Sequence, residues 1–437
     1  MSSPSLPPNA ILRDLGTRVA SGRMSRRTFF ERAIALGVSS GMASVILAAC
    51  GGGTSSPTAS SNGPVTLTLW NALAHPNPAL TQLYQDFHAA YPHITIQETY
   101  YSYADLYPKI VSAAAGGQLP DILNIDNPNH QAYSSQGILA DLTSQITSWG
   151  QASTYYKGPW SSTLWKGKNY GVPYESNCLC LYYNADILAA AGVKPPTTWA
   201  ELRSVAKQLT TNGVYGYSMS LVKTEEGTFQ FLPFLWQSGA DLDSLDSPGA
   251  ISALQLLVDL LDDGSMTKDV LNYTQQDSIT QFVGKKAAMS MNGPWQLQGL
   301  KTNATFKYAV APLPQGQQAS SVLGGENWTV AGSSSHVNEA WSFIQWTQGV
   351  KELTTYDTTA GNLPSRQDVA QNAVWQTDPY LSVFINQFAS AKARAYGPNY
   401  PQMSAAIQDA FQSALTGQAS PAAALQKAAG IVKPLLP

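Results

Sequence analysis

Residues Val65 to Gln97 constrain the fold more tightly than any other stretch. Val65, Leu67 and Leu69 alternate with Thr66 and Thr68, the pattern of a strand with one polar face. After a Pro-rich turn, Leu80, Leu83, Tyr84, Phe87 and Tyr91 recur at helical spacing. Pro92 stops that run, and HITIQ begins a second strand. Two strands separated by a helix cannot form a hairpin; they pair in parallel with the helix crossing over one face. A helix near Leu106–Ala115 and a buried strand in PDILNI continue the pattern. The expectation is an α/β fold.

Sheets of this kind bind ligands beyond the carboxyl ends of their strands. That rule selects three loops. NALAHPN (Asn71–Asn77) holds Asn71 and His75, YYSYAD (Tyr100–Asp105) holds Tyr103, and DNPN holds Asp126, Asn127 and Asn129. They offer amides, hydroxyls, aromatics and acids, and contain no Lys or Arg. Each residue alone also suits ordinary turn chemistry. The three loops together mark a polar ligand site.

Further along, GVPYESNCLCLYYNADIL reads as an extended segment entering a helix, with Glu175 and Asn177 on one face and Ser176, Cys178 and Cys180 on the other. KPPTTW turns into a helix over Trp199–Leu209, with Thr198 as its N-cap. AAMSM is a strand that runs into NGPW, which ends at Trp295, and LGGENWTVAG is another strand after a Gly-Gly hinge. Ile407, Ala410, Phe411, Ala414 and Leu415 hold one face of a helix, and Pro421–Val432 forms a last one.

The N-terminal region has a different character. SRRTFF precedes the uncharged run Ala33–Ala49, and no Asp, Glu, Lys or Arg occurs between Arg32 and Asp86. A basic start, a short apolar stretch and small residues at its end describe an export signal. Arg26 and Arg27, with Phe29 after them, resemble the twin-arginine export motif; Glu31 departs from it. Leu47–Cys50 resembles the bacterial lipobox, which implies a lipid on Cys50 and an extracytoplasmic, membrane-anchored protein. Residues 1–49 are thus the expected signal and 50–64 a Gly/Ser-rich tether.

Composition excludes several classes. A chain of 437 residues suits two domains after removal of the signal. Charged residues are only 12%, so Ser, Thr, Gln and Asn must cover the surface. A net charge of −3 without a basic cluster argues against nucleic acid. Cys178 and Cys180 lack the second half of a zinc site and read as small buried apolar residues. The literal G-x-S-x-G, GVSSG, lies within the export signal and is a false hit for a nucleophile. Glu225 and Glu226 are sequence neighbours, a poor arrangement for spanning a glycosidic bond. No metal, no cofactor and no enzymatic activity are expected.

The motifs YADLYPKI, GGQLPDIL, GVPYESN, LYYNADIL, PPTTWAEL, FVGKKAAMSMNGPW, LGGENWTV and AWSFIQW, in that order, resemble the extracellular solute-binding proteins of ABC transporters. The branch is the sugar-binding one that includes maltose-binding proteins, and the resemblance runs from Val65 to the end. It implies a two-lobe periplasmic-binding-protein-like fold with three hinge crossings, a carbohydrate ligand in the cleft, permease subunits as partners and a monomer. Lobe 1 would be 65–174 and 322–357, and lobe 2 would be 175–321 and 358–437. Crossings are expected near Pro173–Asn177, Ser321–Gly325 and Tyr356–Pro364.

Trp295 matches a tryptophan that stacks on sugar in maltose-binding relatives, and Asn177 stands where those relatives carry a glutamate. TEEGTF resembles a second-lobe loop supplying an acid, Glu225 or Glu226, and an aromatic, Phe229. Gly325 and Glu326 join the expected site from LGGENWTV, beside Glu175. The tryptophan and the paired aromatics of maltose-binding relatives correspond here to Ile125 and to Ile407 and Gln408, which argues against maltodextrin. The alternative ligand on this fold is a glycerol phosphodiester. Its phosphate would need Arg394, the one basic cleft candidate, which equally suits an exposed helix end.

Overall fold

The computed structural model describes residues 63–72, 77–211 and 213–437. Arg26, Arg27, Cys50 and His75 lie outside the described residues.

Strands β1 (Val65–Asn71) and β2 (Ile94–Tyr100) run parallel with Val65 opposite Ile94, as the sequence pattern requires. Asn77 caps the helix between them, Pro78–Ala90, by accepting from the Ala79 amide. Pro78 occupies the first helical turn, where its missing N–H costs nothing. Leu80, Leu83 and Phe87 fill the core under the sheet. Phe87 packs against Phe343 at 5.1 Å and Tyr91 at 4.9 Å.

β3 (Ile122–Asp126) pairs in parallel with β1. A short hairpin of β4 (Leu164–Trp165) and β5 (Lys168–Asn169) follows, and then β6 (Val172–Pro173). The chain next builds a second, antiparallel sheet from β7 (Cys180–Asn184), β8 (Met289–Asn292) and β9 (Tyr308–Ala311), with β7 in the centre. β10 (Ser321–Leu323) leads into β11 (Glu326–Val330), which returns to the first sheet and lies antiparallel between β3 and β6. The first sheet is therefore mixed, with order β2-β1-β3-β11-β6. β12 (Ala391–Ala393) pairs with β10.

Each sheet has its own core. Leu67, Leu69, Phe87, Trp328 and Phe343 fill the first. Around the second, Leu181, Met289, Phe231, Trp236 and Phe411 pack on one side, and Cys180, Tyr182, Phe282 and Trp375 on the other. Cys178 and Cys180 are buried and form no disulfide. Trp328 is fully buried and stacked on Tyr174 at 4.1 Å, so it is a core residue.

The chain passes between the sheets three times, and those passages lie side by side. Ser176 exchanges backbone hydrogen bonds with Leu363 (2.7 and 2.8 Å), and Asn177 with Gly324 (3.1 and 2.9 Å). Past the third passage, Val369 still packs into the first core, so the chain beyond residue 358 does not go wholly to the second lobe.

Local signals account for several element ends. The helix Trp199–Leu209 starts at Thr198, whose side chain accepts from the Glu201 amide. Pro421–Val432 is helical behind a Ser420 cap. Two segments expected to be loops are helix starts instead. Asn127 begins the helix Asn127–Ser135, with Pro128 in its first turn. Thr224 caps the helix Glu225–Gln237, placing Glu225 and Glu226 in the first turn, where the helix dipole favours acids.

Candidate functional site

Arg394, directly after β12, is the centre of the site. Its side chain is only 1% exposed, which removes the exposed-helix-end reading. One terminal nitrogen, Nη1, donates to Glu225 Oε1 at 2.6 Å. The other, Nη2, donates to Asp126 Oδ1 at 3.1 Å and to Asn127 Oδ1 at 3.3 Å. The guanidinium carbon lies 4.6 Å from the Phe229 ring centre, a cation–π contact. Nε is buried without a partner.

The two carboxylates come from opposite sides. Asp126 ends β3 of the first sheet, and Glu225 opens the helix Glu225–Gln237 beside the second. Tyr103 donates its hydroxyl to Asp126. Tyr400 donates to Glu225 Oε1 at 2.7 Å, and Ser404 donates to Oε2. Burial raises the Glu225 pKa and Arg394 pulls it back down, with burial the larger effect. Burial would lower the pKa of Arg394, but Asp126 and Glu225 outweigh it and the guanidinium stays charged.

A second acidic group sits at the passages. Glu175 accepts from Tyr356 OH at 2.7 Å and from the Asn362 amide. Burial raises its pKa, while bonds from Glu326, Tyr356 and Asn362 oppose the rise. Glu326 is held well above the usual carboxylate range, by burial first and then by the Glu175 charge. Asp357 is fully buried with both carboxyl oxygens unpartnered, and burial and then Glu175 push it up as well. Burial thus favours the protonated forms of Glu326 and Asp357, and the Glu175 charge adds to that preference.

Gly325 makes this crossing geometrically possible. Its φ is +132°, and a Cβ there would collide with the Glu175 carbonyl and Ser176. Its own carbonyl accepts from the Asn127 amide at 3.1 Å, tying the helix start to β11. Asn177 is buried beside Gly324, and its side-chain oxygen has no partner.

The aromatics adjoin this group. Phe229 is buried under Arg394, and Trp295 is half-buried with its ring centre 6.4 Å from that of Phe229. Trp295 lies in a 3₁₀ turn, Pro294–Gln296, right after β8. Its indole covers Gly293, and any Cβ at that position would overlap it. The Gly in NGPW is there to seat the tryptophan.

The structure therefore gathers Tyr103, Asp126, Asn127, Glu225, Phe229 and Arg394 into one set of contacts, with Trp295 next to it. Glu175, Gly325 and Glu326 line the adjoining passages, close to Asn177. Asn129 is half-buried on the helix Asn127–Ser135, which packs against the helix Tyr400–Leu415. Two candidates fall elsewhere. Asn71 is inside the first sheet, donating to Glu98 at 2.7 Å and accepting from Asn124 at 2.6 Å. Its position at a strand end suggested a loop, but the amide is needed to satisfy buried neighbours. Glu226 turns away and accepts from the Gln275 amide at 2.7 Å, capping another helix. Tyr400, Ser404 and Gln408 were missed. Their i, i+4, i+8 spacing marks one polar stripe of a helix, and Gln408 bonds Ser404 at 2.9 Å.

Among the described residues, no group of His, Cys, Asp or Glu is arranged to hold a metal ion. No described helix is long and apolar enough to cross a membrane.

Two lobes built on separate sheets, joined by three adjacent passages with polar and aromatic groups between them, define a solute-binding architecture. The sequence model of the bacterial extracellular solute-binding proteins matches residues 82–382, and the chain belongs to that family. An ABC transporter solute-binding protein of Thermotoga lettingae, bound with alpha-D-tagatose, superimposes with a TM-score of 0.80 at 27% identity, covering 85% of this chain and 100% of that one. Maltose-bound MalE3 of T. maritima gives 0.79 at 26% identity, with coverage of 85% and 100%. A putative binding protein of Brucella abortus is 25% identical over 84% of this chain and 92% of its own length.

Proposed function

We propose that the protein captures a neutral carbohydrate between its lobes, outside the cytoplasm, and delivers it to an ABC importer without chemically changing it. One observation carries the choice of ligand class. The cleft cation, Arg394, already has both terminal nitrogens engaged by carboxylates, while Asn177 keeps an unpartnered oxygen and Trp295 an incompletely covered ring. A sugar suits this set, because its C–H face stacks on an aromatic while amides and acids satisfy its hydroxyls. A glycerol phosphodiester would instead need a guanidinium free for two parallel bonds.

Asp126, Asn127, Asn177, Glu225, Phe229, Trp295 and Arg394 form the ligand-facing set in this reading, with Glu175 and Glu326 behind it. The lobes pivot where Ser176, Asn177, Gly324 and Leu363 run side by side, and ligand closes them. Trp295→Ala should weaken sugar binding by about 2 kcal/mol, roughly thirtyfold, and leave the fold intact. A thermal-shift screen over neutral sugars and glycerol phosphodiesters identifies the class. Stabilisation by phosphodiesters alone would reject the carbohydrate reading, and sugar affinity unchanged in Trp295→Ala would reject the stacking role.

We further infer that Cys50 carries the lipid that holds the monomer at the membrane after twin-arginine export. The uncharged run and the lipobox-like LAAC support this. Membrane retention and processing of the Cys50→Ser protein should be lost; a normally processed, membrane-bound variant would overturn the anchor.

A further inference from the structure

We propose that Glu225 is a charge mask for Arg394, and that this mask restricts the cleft to ligands without a negative charge. The inference rests on the reading that the cleft between the lobes is the ligand site. It adds to the place of Glu225 beside the ligand a role in specificity exerted through Arg394.

A buried guanidinium in a binding cleft is ordinarily an anion receptor, offering two parallel N–H groups to a carboxylate or phosphate. Here both terminal nitrogens and one face are already used. Nη1 is 2.6 Å from Glu225, Nη2 is 3.1 Å from Asp126, and one face lies on Phe229. Of its five N–H groups, three are engaged, by Glu225, Asp126 and Asn127; Nε–H and the second N–H of Nη1 are left. Nε–H shares its edge of the guanidinium with Nη2, whose N–H groups are both engaged, so the two left over cannot hold an anion in bidentate fashion. An anion would also meet the Glu225 and Asp126 carboxylates at close range, with Glu175 nearby, and like charges in a poorly solvated site repel strongly.

Glu225 is held so that it cannot swing aside. Tyr400 bonds the same oxygen that Arg394 uses, and Ser404 bonds the other. Thr228 and Gln408 brace Ser404 at 2.8 and 2.9 Å. The polar stripe Tyr400–Ser404–Gln408 has this bracing as its purpose. Glu226, the neighbouring acid, cannot substitute, because its carboxylate caps the Gln275 amide.

The test uses Glu225→Gln, which removes the charge, keeps a carbonyl acceptor on the Tyr400 side and presents an NH2 whose hydrogen bond the Ser404 hydroxyl can accept. The probes are D-glucuronate, D-galacturonate and inorganic phosphate, read by thermal shift and calorimetry beside a panel of neutral sugars. The wild type should respond to neutral sugars and not to the anions. Glu225→Gln should bind at least one anion about tenfold or more tighter than the wild type. The double variant Glu225→Gln/Arg394→Gln should lose that gain, which separates capture by Arg394 from a general loss of repulsion. Asp126→Asn unmasks the other terminal nitrogen and repeats the test if Glu225→Gln folds poorly. Anion binding by the wild type, or a folded Glu225→Gln or Asp126→Asn that still ignores anions, overturns the mask. If the wild type responds to no neutral sugar, the carbohydrate reading fails instead, so the two failures are distinguishable.

Discussion

The carboxyls around Arg394 and those around Glu175 are both buried, yet their charge is handled in opposite ways. Asp126 and Glu225 share a guanidinium that bonds to both. Among the described residues no cation pairs with Glu175, Glu326 or Asp357, and two of the three are pushed well above the usual carboxylate range. Location explains the division. The first group joins elements of different sheets, so in the proposed closure its ion pairs would form and break. The second sits at the passages, next to Ser176, Gly325 and Asn362, where the chain must stay in place. An ion pair suits a contact that the proposed closure would change, and raised carboxyl pKa values suit a pivot that it would not.

Removing the cation should break this comparison most severely. Arg394→Met leaves Asp126 and Glu225 buried and unpaired, and breaking a buried pair from one side typically costs about 3–5 kcal/mol. Urea denaturation at pH 7 measures it. A loss below about 1 kcal/mol, the range of exposed pairs, would show that the carboxylates find water easily and that the guanidinium is not their main support. Solution scattering of the same variant tests the bridging role: it should be more open than the wild type when free of ligand, and an unchanged profile would place the triad outside lobe closure.

Hydrogen-bond donors sharpen the contrast on a smaller scale. Glu175 has two side-chain donors that are not acids, Tyr356 and Asn362, whereas Glu225 has Arg394, Tyr400 and Ser404. Tyr356→Phe should cost about 2 kcal/mol, in the range for bonds to charged groups. Tyr400→Phe should cost about 1 kcal/mol, since an ion pair remains on the same oxygen. Equal losses in parallel denaturation curves would mean that Glu175 is no more dependent on its donors than Glu225.

The fold was legible wherever local chemistry decides it. The strand–helix–strand unit, the Thr198 cap and the limits of Pro421–Val432 follow from periodicity and capping within a few residues. Reading DNPN and TEEGTF as loops gave too little weight to helix-start signals, namely Pro in a first turn and Thr before two acids. Site members were legible as types and not as pairs. Arg394 meets Glu225 and Asp126 across 169 and 268 residues of chain, and no local pattern encodes that. Asn71 shows the converse error, because an amide at a strand end serves a buried neighbour as readily as a ligand.

The smallest effect separates the two groups by pH. Glu326 faces Glu175, Asp126, Arg394 and Tyr107, and burial with the Glu175 charge raises its pKa in the folded protein. The sign follows from counting protons. Above about 4.3, the ordinary glutamate value, the unfolded chain has lost this proton while the folded protein still holds it. Stability then falls as pH rises, until the folded group titrates too. Glu175 and Asp357, whose pKa values are also raised, act in the same direction. Glu326→Gln keeps a donor toward Glu175 but has no proton to lose. It should match the wild type near pH 5 and exceed it near pH 8. Glu225→Gln should show a smaller gain of the same sign, because Arg394 offsets part of the rise that burial gives Glu225, and it should be less stable throughout for want of the ion pair. Melting both variants across this range decides the matter: a Glu326→Gln curve parallel to the wild type would mean that the pivot carries a full negative charge and is stabilised in some way other than protonation.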